Sequence, residues 1–295
     1  MSGFGVLTPS YAADFELCRE LNQSVLECTA ADVDHHLVVP RRDQELFARL
    51  RGSRTHVWTV EQLIPRRMLP VPLVNAWLNV RRPYPPVRGW VMQQIVKLGA
   101  SAQLGGDLVV LADSDVVFVR PVSVDTFRKA GRVRFYRSDH ALDGRLPRHL
   151  RWHDAARRLV GLPPSGPPPL PDYISGGVNV WERRVLLALR ERIEQVHGRP
   201  WLDAIASNLH ISEFILYGVF VDDVLGSAAT ITPAESTLVH CHWGPEPMVD
   251  GAVDQFVRGL RPEDVAVMIS ARSQTDPAVR RRALSGVRSS VALEG

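Results

Sequence analysis

The stretch Asp107-Leu108-Val109-Val110-Leu111-Ala112-Asp113-Ser114-Asp115-Val116-Val117-Phe118-Val119 decides how this chain folds. Its first apolar run, residues 108–112, is too short and too rich in β-branched side chains for a helix, and two glycines precede it. We therefore predict a central buried strand that ends at the acidic triplet Asp113-Ser114-Asp115, with extended chain resuming over residues 116–119. The two carboxylates thus stand at the carboxyl end of a strand, the edge at which open α/β sheets bind ligands.

Strands and helices alternate around this stretch. Apolar runs predict strands over residues 4–8, 35–40, 55–60, 133–136, 173–181 and 237–243. Apolar side chains at helical spacing predict helices over residues 12–28, 44–51, 89–104, 146–162, 182–197 and 212–225. Two stretches are rich in proline. Residues 65–87 are expected to form an irregular excursion over the surface, and residues 163–171 a linker. The alternation indicates an α/β fold with a mixed, mostly parallel central sheet flanked by helices.

The composition is that of an ordinary globular protein, with 45% hydrophobic and 23% charged residues. The pI near 9.0 comes from basic pairs scattered among prolines, leucines and acidic residues, which argues against a nucleic-acid-binding module. No apolar run reaches the length of about eighteen residues that a membrane span requires. The N-terminus has no basic and apolar leader, and three cysteines without a CxxC pair suit reduced thiols, so we expect a cytoplasmic protein.

The acidic triplet predicts a site for a hard divalent cation. In extended chain, residues i and i+2 point to the same side, so Asp113 and Asp115 can both face one ion. Mg²⁺ and Mn²⁺ prefer oxygen ligands and bridge carboxylates to the phosphates of a substrate. The alternative is a pair of solvated aspartates in a turn, but that reading leaves a charged triplet between two buried apolar runs without a counter-ion.

At this point the chain resembles the GT-A glycosyltransferases, whose hallmark is an Asp-x-Asp motif after a hydrophobic strand, and most of all a bacterial group of uncharacterised glycosyltransferase-like proteins. Besides the triplet, four segments carry the resemblance: residues 8–14, 89–98, 175–179 and 212–218. The resemblance implies a single-domain GT-A (Rossmann-like) fold. It also implies a hexosyltransferase-type enzyme that uses Mn²⁺ or Mg²⁺ and transfers a sugar from a UDP- or GDP-sugar to a hydroxyl of a small molecule or glycan.

The same resemblance divides the chain. We expect a catalytic domain over residues 1–275, with a nucleotide-binding part over about residues 1–136 and an acceptor-side part over about residues 137–275. Residues 276–295, which are rich in Arg, Ser and Ala, are expected to form a surface helix or a flexible tail. A homodimer is compatible with these features, and neither nucleic acid nor a membrane span is expected as a partner.

The resemblance implies that Asp115 is the principal metal ligand and that Asp113 contacts the ribose, the metal or both, and a late strand is expected to supply a histidine. His240 matches that pattern best, and His242 lies two residues further along the same predicted strand. Both side chains share a face if the strand is regular, so the choice between them stays open. The alternative is that either is a neutral, hydrogen-bonded core histidine.

Residues that bind the nucleotide sugar are expected in the triplet and in three further segments. Small hydroxyl residues at a helix start suit a nucleotide, whereas Asp14 is equally well explained as a first-turn helix charge. Polar residues of the helix before the triplet suit phosphates or sugar hydroxyls, or simply a solvated face. The glycine pair allows close approach of a sugar or forms a tight turn. These residues are Thr8, Ser10, Tyr11, Asp14, Arg88, Gln94, Lys97, Asp113, Ser114, Gly176 and Gly177.

Two carboxylates are candidates for catalysis. Glu213 shares a helical face with Tyr217, and an inverting reaction would use it as a base, although a helix N-terminal Glu stabilised by the dipole is the simpler reading. Asp222 is the second candidate. Two other functions remain open: a haloacid-dehalogenase-like phosphohydrolase, whose motif normally lies near the N-terminus and continues to a Thr, and a non-catalytic nucleotide-sugar-binding protein of the same fold.

Overall fold

A computed structural model describes residues 3–72 and 74–294, without the side chain of Tyr84. Met1, Ser2, Leu73 and Gly295, which fall within the predicted domain and tail, lie outside the described residues. Within these limits, no helix is both long enough and apolar enough to cross a membrane.

The described residues form sixteen strands and ten α-helices. The strands are β1 (Phe4–Pro9), β2 (His35–Val39), β3 (Thr55–Thr59), β4 (Met68–Pro70), β5 (Ala76–Asn79), β6 (Arg82–Arg88), β7 (Leu108–Ala112), β8 (Val116–Phe118), β9 (Arg128–Lys129), β10 (Arg132–Tyr136), β11 (Ser138–Leu142), β12 (Leu170–Asp172), β13 (Val178–Glu182), β14 (Ile231–Ala234), β15 (Val239–His242) and β16 (Ala266–Ile269). The helices are α1 (Phe15–Cys28), α2 (Gln44–Ala48), α3 (Val60–Leu63), α4 (Gly89–Gln103), α5 (Pro147–Leu159), α6 (Arg183–His197), α7 (Trp201–Ala206), α8 (Glu213–Val219), α9 (Asp250–Arg258) and α10 (Pro277–Glu294).

The central sheet has five strands in the order β13-β7-β1-β2-β3. The pairs β7–β1, β1–β2 and β2–β3 are parallel, and β13 adds an antiparallel edge next to β7. Leu37 of β2 packs with Phe15 and Phe47 on one face, and its neighbour Val38 joins the main core with Ile95 of α4 on the other. The expected mixed, mostly parallel α/β architecture with flanking helices is confirmed.

Strand β7 is buried along its whole length, because sheet neighbours flank it and helices cover its faces. After the acidic triplet, the chain leaves the central sheet and forms β8, which joins a three-stranded sheet in the order β15-β16-β8. In that sheet, Met268 of β16 lies opposite Val116 and also opposite Cys241 of β15. The triplet therefore sits where the two sheets meet.

The C-terminal helix α10 packs on the second sheet. Its side chains Val279, Ala283 and Val287 are buried against a small core that also contains Val117 and Val267. Strand β16 and helices α7 and α9 do not appear in the sequence prediction. These elements have four, six and nine residues, respectively, which leaves too little periodicity for them to stand out beside stronger signals.

Residues 65–87, which were expected to be irregular, instead form a three-stranded antiparallel sheet in the order β4-β5-β6. Three of its prolines, Pro83, Pro85 and Pro86, lie on β6, which is an edge strand of that sheet. Proline is tolerated on an edge because no partner requires its missing N–H. The expectation was wrong because proline content argues against central strands but not against edge strands.

The predicted strand over residues 173–181 is also interrupted. The structure has β12 before it and β13 at its end, with Gly176 and Gly177 between them. Gly177 has a φ of +87°, a left-handed conformation that breaks the extended chain and that glycine adopts without strain. This break turns the chain towards the carboxyl end of β7.

Candidate functional site

The acidic triplet forms a tight turn at the end of β7. The N–H of Asp113 donates to the Gly177 carbonyl at 3.0 Å, and the N–H of Val116 donates back to the Asp113 carbonyl at 3.1 Å. The Ser114 hydroxyl donates to the hydroxyl of Ser10, at the end of β1, at 2.9 Å. These bonds bring the predicted loop after β1, the triplet and the glycine turn before β13 together at one edge of the sheet.

A buried lysine connects two of the predicted carboxylates. Nζ of Lys97, on α4, lies 3.3 Å from Oδ1 of Asp113 and 3.0 Å from Oε1 of Glu213. The Lys97 side chain is 6% exposed and Glu213 2% exposed, whereas Asp113 is 42% exposed. Lys97 also lies over the ring of Phe214. Burial would lower the pKa of Lys97, but the carboxylates of Asp113 and Glu213 outweigh burial and raise it, so the ammonium stays charged.

Asp115 is anchored from the C-terminal part of the chain. Its Oδ2 accepts the N–H of Ala271 at 2.7 Å, and Nη2 of Arg280, on α10, donates to its carbonyl oxygen at 3.2 Å. Burial and the neighbouring charge of Asp113 raise the pKa of Asp115 to about 6, against the Ala271 N–H and Arg280, which lower it. The two carboxylates therefore repel each other, and a cation between them would relieve that repulsion.

The predicted residues of the first loop lie beside the triplet in different environments. Thr8 is buried, and its hydroxyl bonds the ring of His35. Ser10 contacts Ser114 as described, and the ring of Tyr11 is half exposed. Burial and the charge of Asp113 raise the pKa of Asp14, which places that carboxyl within electrostatic reach of the triplet. Tyr11 and Asp14 could therefore meet a ligand, whereas Thr8 and Ser10 are buried.

The polar residues predicted on or next to α4 also differ in exposure, since Gln94 and Lys97 are buried and Arg88 is exposed. Gln94 is buried, and its Oε1 accepts the N–H of Glu213 at 3.5 Å, so that it supports the start of α8 beside Lys97. The Ser212 hydroxyl caps this start by accepting the N–H of Ile215. Arg88 precedes α4 and is exposed, roughly 13 Å along the helix axis from Lys97.

The predicted histidines do not join the carboxylates. Nε2 of His240 bonds the carbonyl of Phe256 at 2.9 Å and its ring packs on the Phe256 ring, while Nε2 of His242 bonds the carbonyl of Glu246 at 2.8 Å. Strand alternation turns Cys241, between them, to the face of Val116 and Gly176. Across residues 3–72 and 74–294, no three His, Cys, Asp or Glu side chains gather as a ready metal site. Their role as metal ligands stays a prediction.

The donor set that remains is a pair of carboxylates. Two aspartates with an open side toward solvent suit a hard cation that takes its other ligands from a diphosphate and water. The exposure of Asp113 and the mutual repulsion of the two carboxyls fit that use.

Both predicted glycines are required by packing. A Cβ at Gly176 would lie 2.3 Å from the Cys241 sulfur, and one at Gly177 would lie 2.7 Å from Cγ2 of Val116. The Cys241 thiol occupies the space beside Gly176, and burial together with Asp115 raises its pKa to about 12. The tight-turn interpretation of the pair therefore explains the structure.

Asp222 lies in a different cluster from Glu213. Its Oδ2 accepts the hydroxyl of Tyr173 at 2.7 Å and lies 3.2 Å from Nε of Arg137. Burial raises the pKa of Asp222, while Tyr173 and Arg137 lower it. No described contact joins Asp222 to Lys97. Ala271, Arg280 and Cys241 were missed as site residues, and no signal in the sequence points to them.

Comparison with known proteins identifies the family. Residues 7–240 match the family described as a family of unknown function (DUF6492). The chain belongs to this family. The matched region contains the acidic triplet, Lys97 and Glu213, and ends before Ala271 and Arg280. No curated protein matches the chain.

Two solved structures are similar to this DUF6492 member. The crystal structure of mouse xyloside xylosyltransferase 1 in its apo form has a TM-score of 0.47 and 12% identity, covering 92% of this chain and 98% of that one. An active-site mutant of LgtC has a TM-score of 0.45 and 13% identity, covering 97% of this chain and 95% of that one.

Proposed function

We propose that this DUF6492 member is a glycosyltransferase that moves a sugar from a nucleoside-diphosphate sugar to an acceptor hydroxyl. The observation that carries the proposal is the convergence of Asp113, Lys97 and Glu213 beside Asp115, at the carboxyl edge of a mostly parallel sheet. Ligands of α/β proteins bind at this edge. Two carboxylates at this edge suit a divalent cation, and such a cation would neutralise the negative charge of a diphosphate.

Asp113 and Asp115 are the residues that would hold Mn²⁺ or Mg²⁺. When bound, the ion would supply positive charge to the diphosphate as the sugar leaves. The chain's own contribution is to keep both carboxylates in place: the Gly177 carbonyl fixes the backbone of Asp113, and the Ala271 N–H fixes the carboxylate of Asp115.

Lys97 and Glu213 act together in this proposal. Glu213 is closed off from solvent and paired with the ammonium, so we assign it a positioning role: it holds Lys97 against Asp113. Lys97 in turn holds the carboxylate of Asp113 at the ligand edge through their 3.3 Å contact. The nucleotide would lie along the loop after β1, where the half-exposed ring of Tyr11 offers a surface for the base and Asp14 offers an acceptor for the ribose hydroxyls.

A thermal-shift screen of nucleoside diphosphates, with and without Mn²⁺, tests the donor class. We expect one nucleotide to raise the melting temperature only with the metal, because the ligand stabilises the folded state by mass action. Hydrolysis of the matching nucleotide sugar would then be measured. Turnover of p-nitrophenyl phosphate without any nucleotide effect would identify a phosphohydrolase instead, and tight donor binding without consumption of donor would identify a binding protein.

A further inference from the structure

An exposed tryptophan is held rigidly near the start of α4. The Trp90 side chain is 42% exposed, although its Nε1–H donates to the Ile211 carbonyl at 3.0 Å. Its ring stacks on that of Trp152, with 5.8 Å between centroids and 12° between planes. The guanidinium of Arg148 lies 5.3 Å from the Trp90 ring centroid and 4.6 Å from that of Trp152. We call Trp90, Trp152 and Arg148 the Trp90 shelf.

The shelf lies in line with the proposed site. Trp90, Gln94 and Lys97 are spaced i, i+4 and i+7 and so occupy one face of α4. The shelf is therefore roughly 10 Å along the helix from Lys97. Gln94 bonds the backbone at both ends of this interval, with its Nε2–H on the Trp90 carbonyl and its Oε1 on the N–H of Glu213. Gln94 and Lys97 are buried, so the shelf is the exposed end of this helix face.

Polar groups border the shelf. The His149 ring lies 4.9 Å from the Trp152 ring, and its Nδ1 lies 3.5 Å from Oδ2 of Asp172. Asp172 is itself fixed, because its Oδ1 accepts the N–H groups of Tyr173 and Ile174. Among the described residues, Arg148 has no carboxylate partner and Nε2 of His149 has no hydrogen-bond partner. The guanidinium of Arg148 can therefore donate to a ligand, and Nε2 of His149 can donate or accept.

We infer that the Trp90 shelf is the acceptor subsite and that the acceptor is a saccharide, an inference that rests on the proposed function. A pyranose ring has an apolar C–H face and a hydroxyl edge. A fixed indole offers a large flat apolar surface at little entropic cost, and the neighbouring guanidinium and imidazole suit the hydroxyls. Among the described residues, the other exposed indole with a bonded N–H is that of Trp58, which lies on the far edge strand β3, three strands away from β7.

The test measures binding of methyl β-glucopyranoside, methyl β-galactopyranoside, methyl α-mannopyranoside and glucuronic acid by saturation-transfer difference NMR, with UDP or GDP and Mg²⁺. The variants are Trp90→Ala and Trp90→Leu, and Trp58→Ala is the matched control. Trp90→Leu keeps an apolar side chain against Trp152 but has no flat face, and a thermal melt establishes that each variant is folded.

We expect one saccharide to bind wild type and Trp58→Ala equally, and to lose affinity by about tenfold or more in both Trp90 variants, while nucleotide binding is unchanged. Nucleotide binding with no saccharide binding, or with saccharide binding that is unaffected in the Trp90 variants, would overturn the inference and leave the proposed function intact. Saccharide binding that depends on Trp90, without any nucleotide binding, would overturn the proposed function and keep the saccharide site.

Discussion

Lys97 and Glu213 form an ion pair of 3.0 Å in which both side chains are almost wholly buried. Glu213 contacts no other cation among the described residues, whereas Lys97 also reaches Asp113. The charges of Lys97 and Glu213 can be held away from water because the ammonium of Lys97 is paired with the carboxylates of both Glu213 and Asp113. The pair therefore connects the stability of the α4–α8 contact with the geometry of the ligand edge.

This relationship predicts a strongly non-additive pair of substitutions. Lys97→Met should lower the free energy of unfolding by about 3–5 kcal/mol, because it leaves Glu213 buried without a partner. Glu213→Leu should have a smaller effect, since Lys97 keeps Asp113. The double variant should recover to within about 1 kcal/mol of Glu213→Leu alone. Urea denaturation measures the free energy of unfolding of wild type, both single variants and the double variant. If the losses of the two single variants added up in the double variant, the two side chains would not be coupled.

The glycine turn gives a second non-additive prediction. Gly176→Ala should destabilise the fold by about 1–3 kcal/mol, because the new Cβ would overlap the Cys241 sulfur. Removing that sulfur with Cys241→Ala should relieve the clash, so the double variant should be more stable than Gly176→Ala. If the double variant were less stable than either single variant, the thiol would not be what requires glycine at this position.

Arg280 is predicted to matter far more than its neighbour on the same helix. It donates to the carbonyls of Asp115 and Ile269 and pairs with Glu20 from a buried position. Arg280→Met should cost about 2–4 kcal/mol of unfolding free energy. Arg282, an exposed residue that pairs with Asp250, is the matched control, and Arg282→Met should change stability by less than about 1 kcal/mol. Equal effects would mean that α10 is not anchored through Asp115.

The burial of His35 leads us to predict that the free energy of unfolding depends on pH. It is fully buried between Thr8 and Asn22, and burial followed by the neighbouring His36 lowers its pKa from 6.5 to about 3. The folded protein thus keeps His35 neutral, while the unfolded chain takes up a proton below about pH 6.5. Stability should fall as the pH drops from 6.5 towards 3, by about 2 kcal/mol between about pH 7 and pH 5 from this residue.

The His35→Gln variant separates this contribution from other groups. Glutamine can still bond Thr8 and Asn22 but does not titrate. Unfolding of the variant below about pH 6.5 should therefore take up about one proton fewer, so its unfolding free energy should change less steeply with pH. Denaturation curves at several pH values measure the difference. The same pH dependence in both proteins would place the proton uptake elsewhere.

The sequence predicted the acidic triplet and its strand better than the residues that hold the triplet in place. Strand β7 and the triplet could be read because an unbroken apolar run and two charges stand side by side in the chain. Lys97 could be expected from its place on the preceding helix. Its partner Glu213 was found as a candidate, but the ion pair between them depends on how α4 and α8 pack, which local periodicity does not encode.

The remaining site residues depend on long-range register. Ala271 reaches Asp115 across 156 residues, and Arg280 reaches it across 165. The period of two correctly placed His240 and His242 on one face of a strand. Which face turns inward is decided by the pairing of β15 with β16, and β16 itself did not stand out in the sequence.

Cation and diphosphate binding by the triplet is tested by calorimetric titration of the nucleoside diphosphate that raises the melting temperature, with and without Mn²⁺, into wild type, Asp115→Asn and Asp107→Asn. Asp107 precedes the same strand β7 at its opposite end, so Asp107→Asn makes the same chemical change about 20 Å away from the ligand edge. We predict that Mn²⁺-dependent binding is retained in Asp107→Asn and weakened by about a hundredfold or more in Asp115→Asn. Equal metal-dependent binding by wild type and Asp115→Asn would contradict the claim that the triplet holds a cation and a diphosphate.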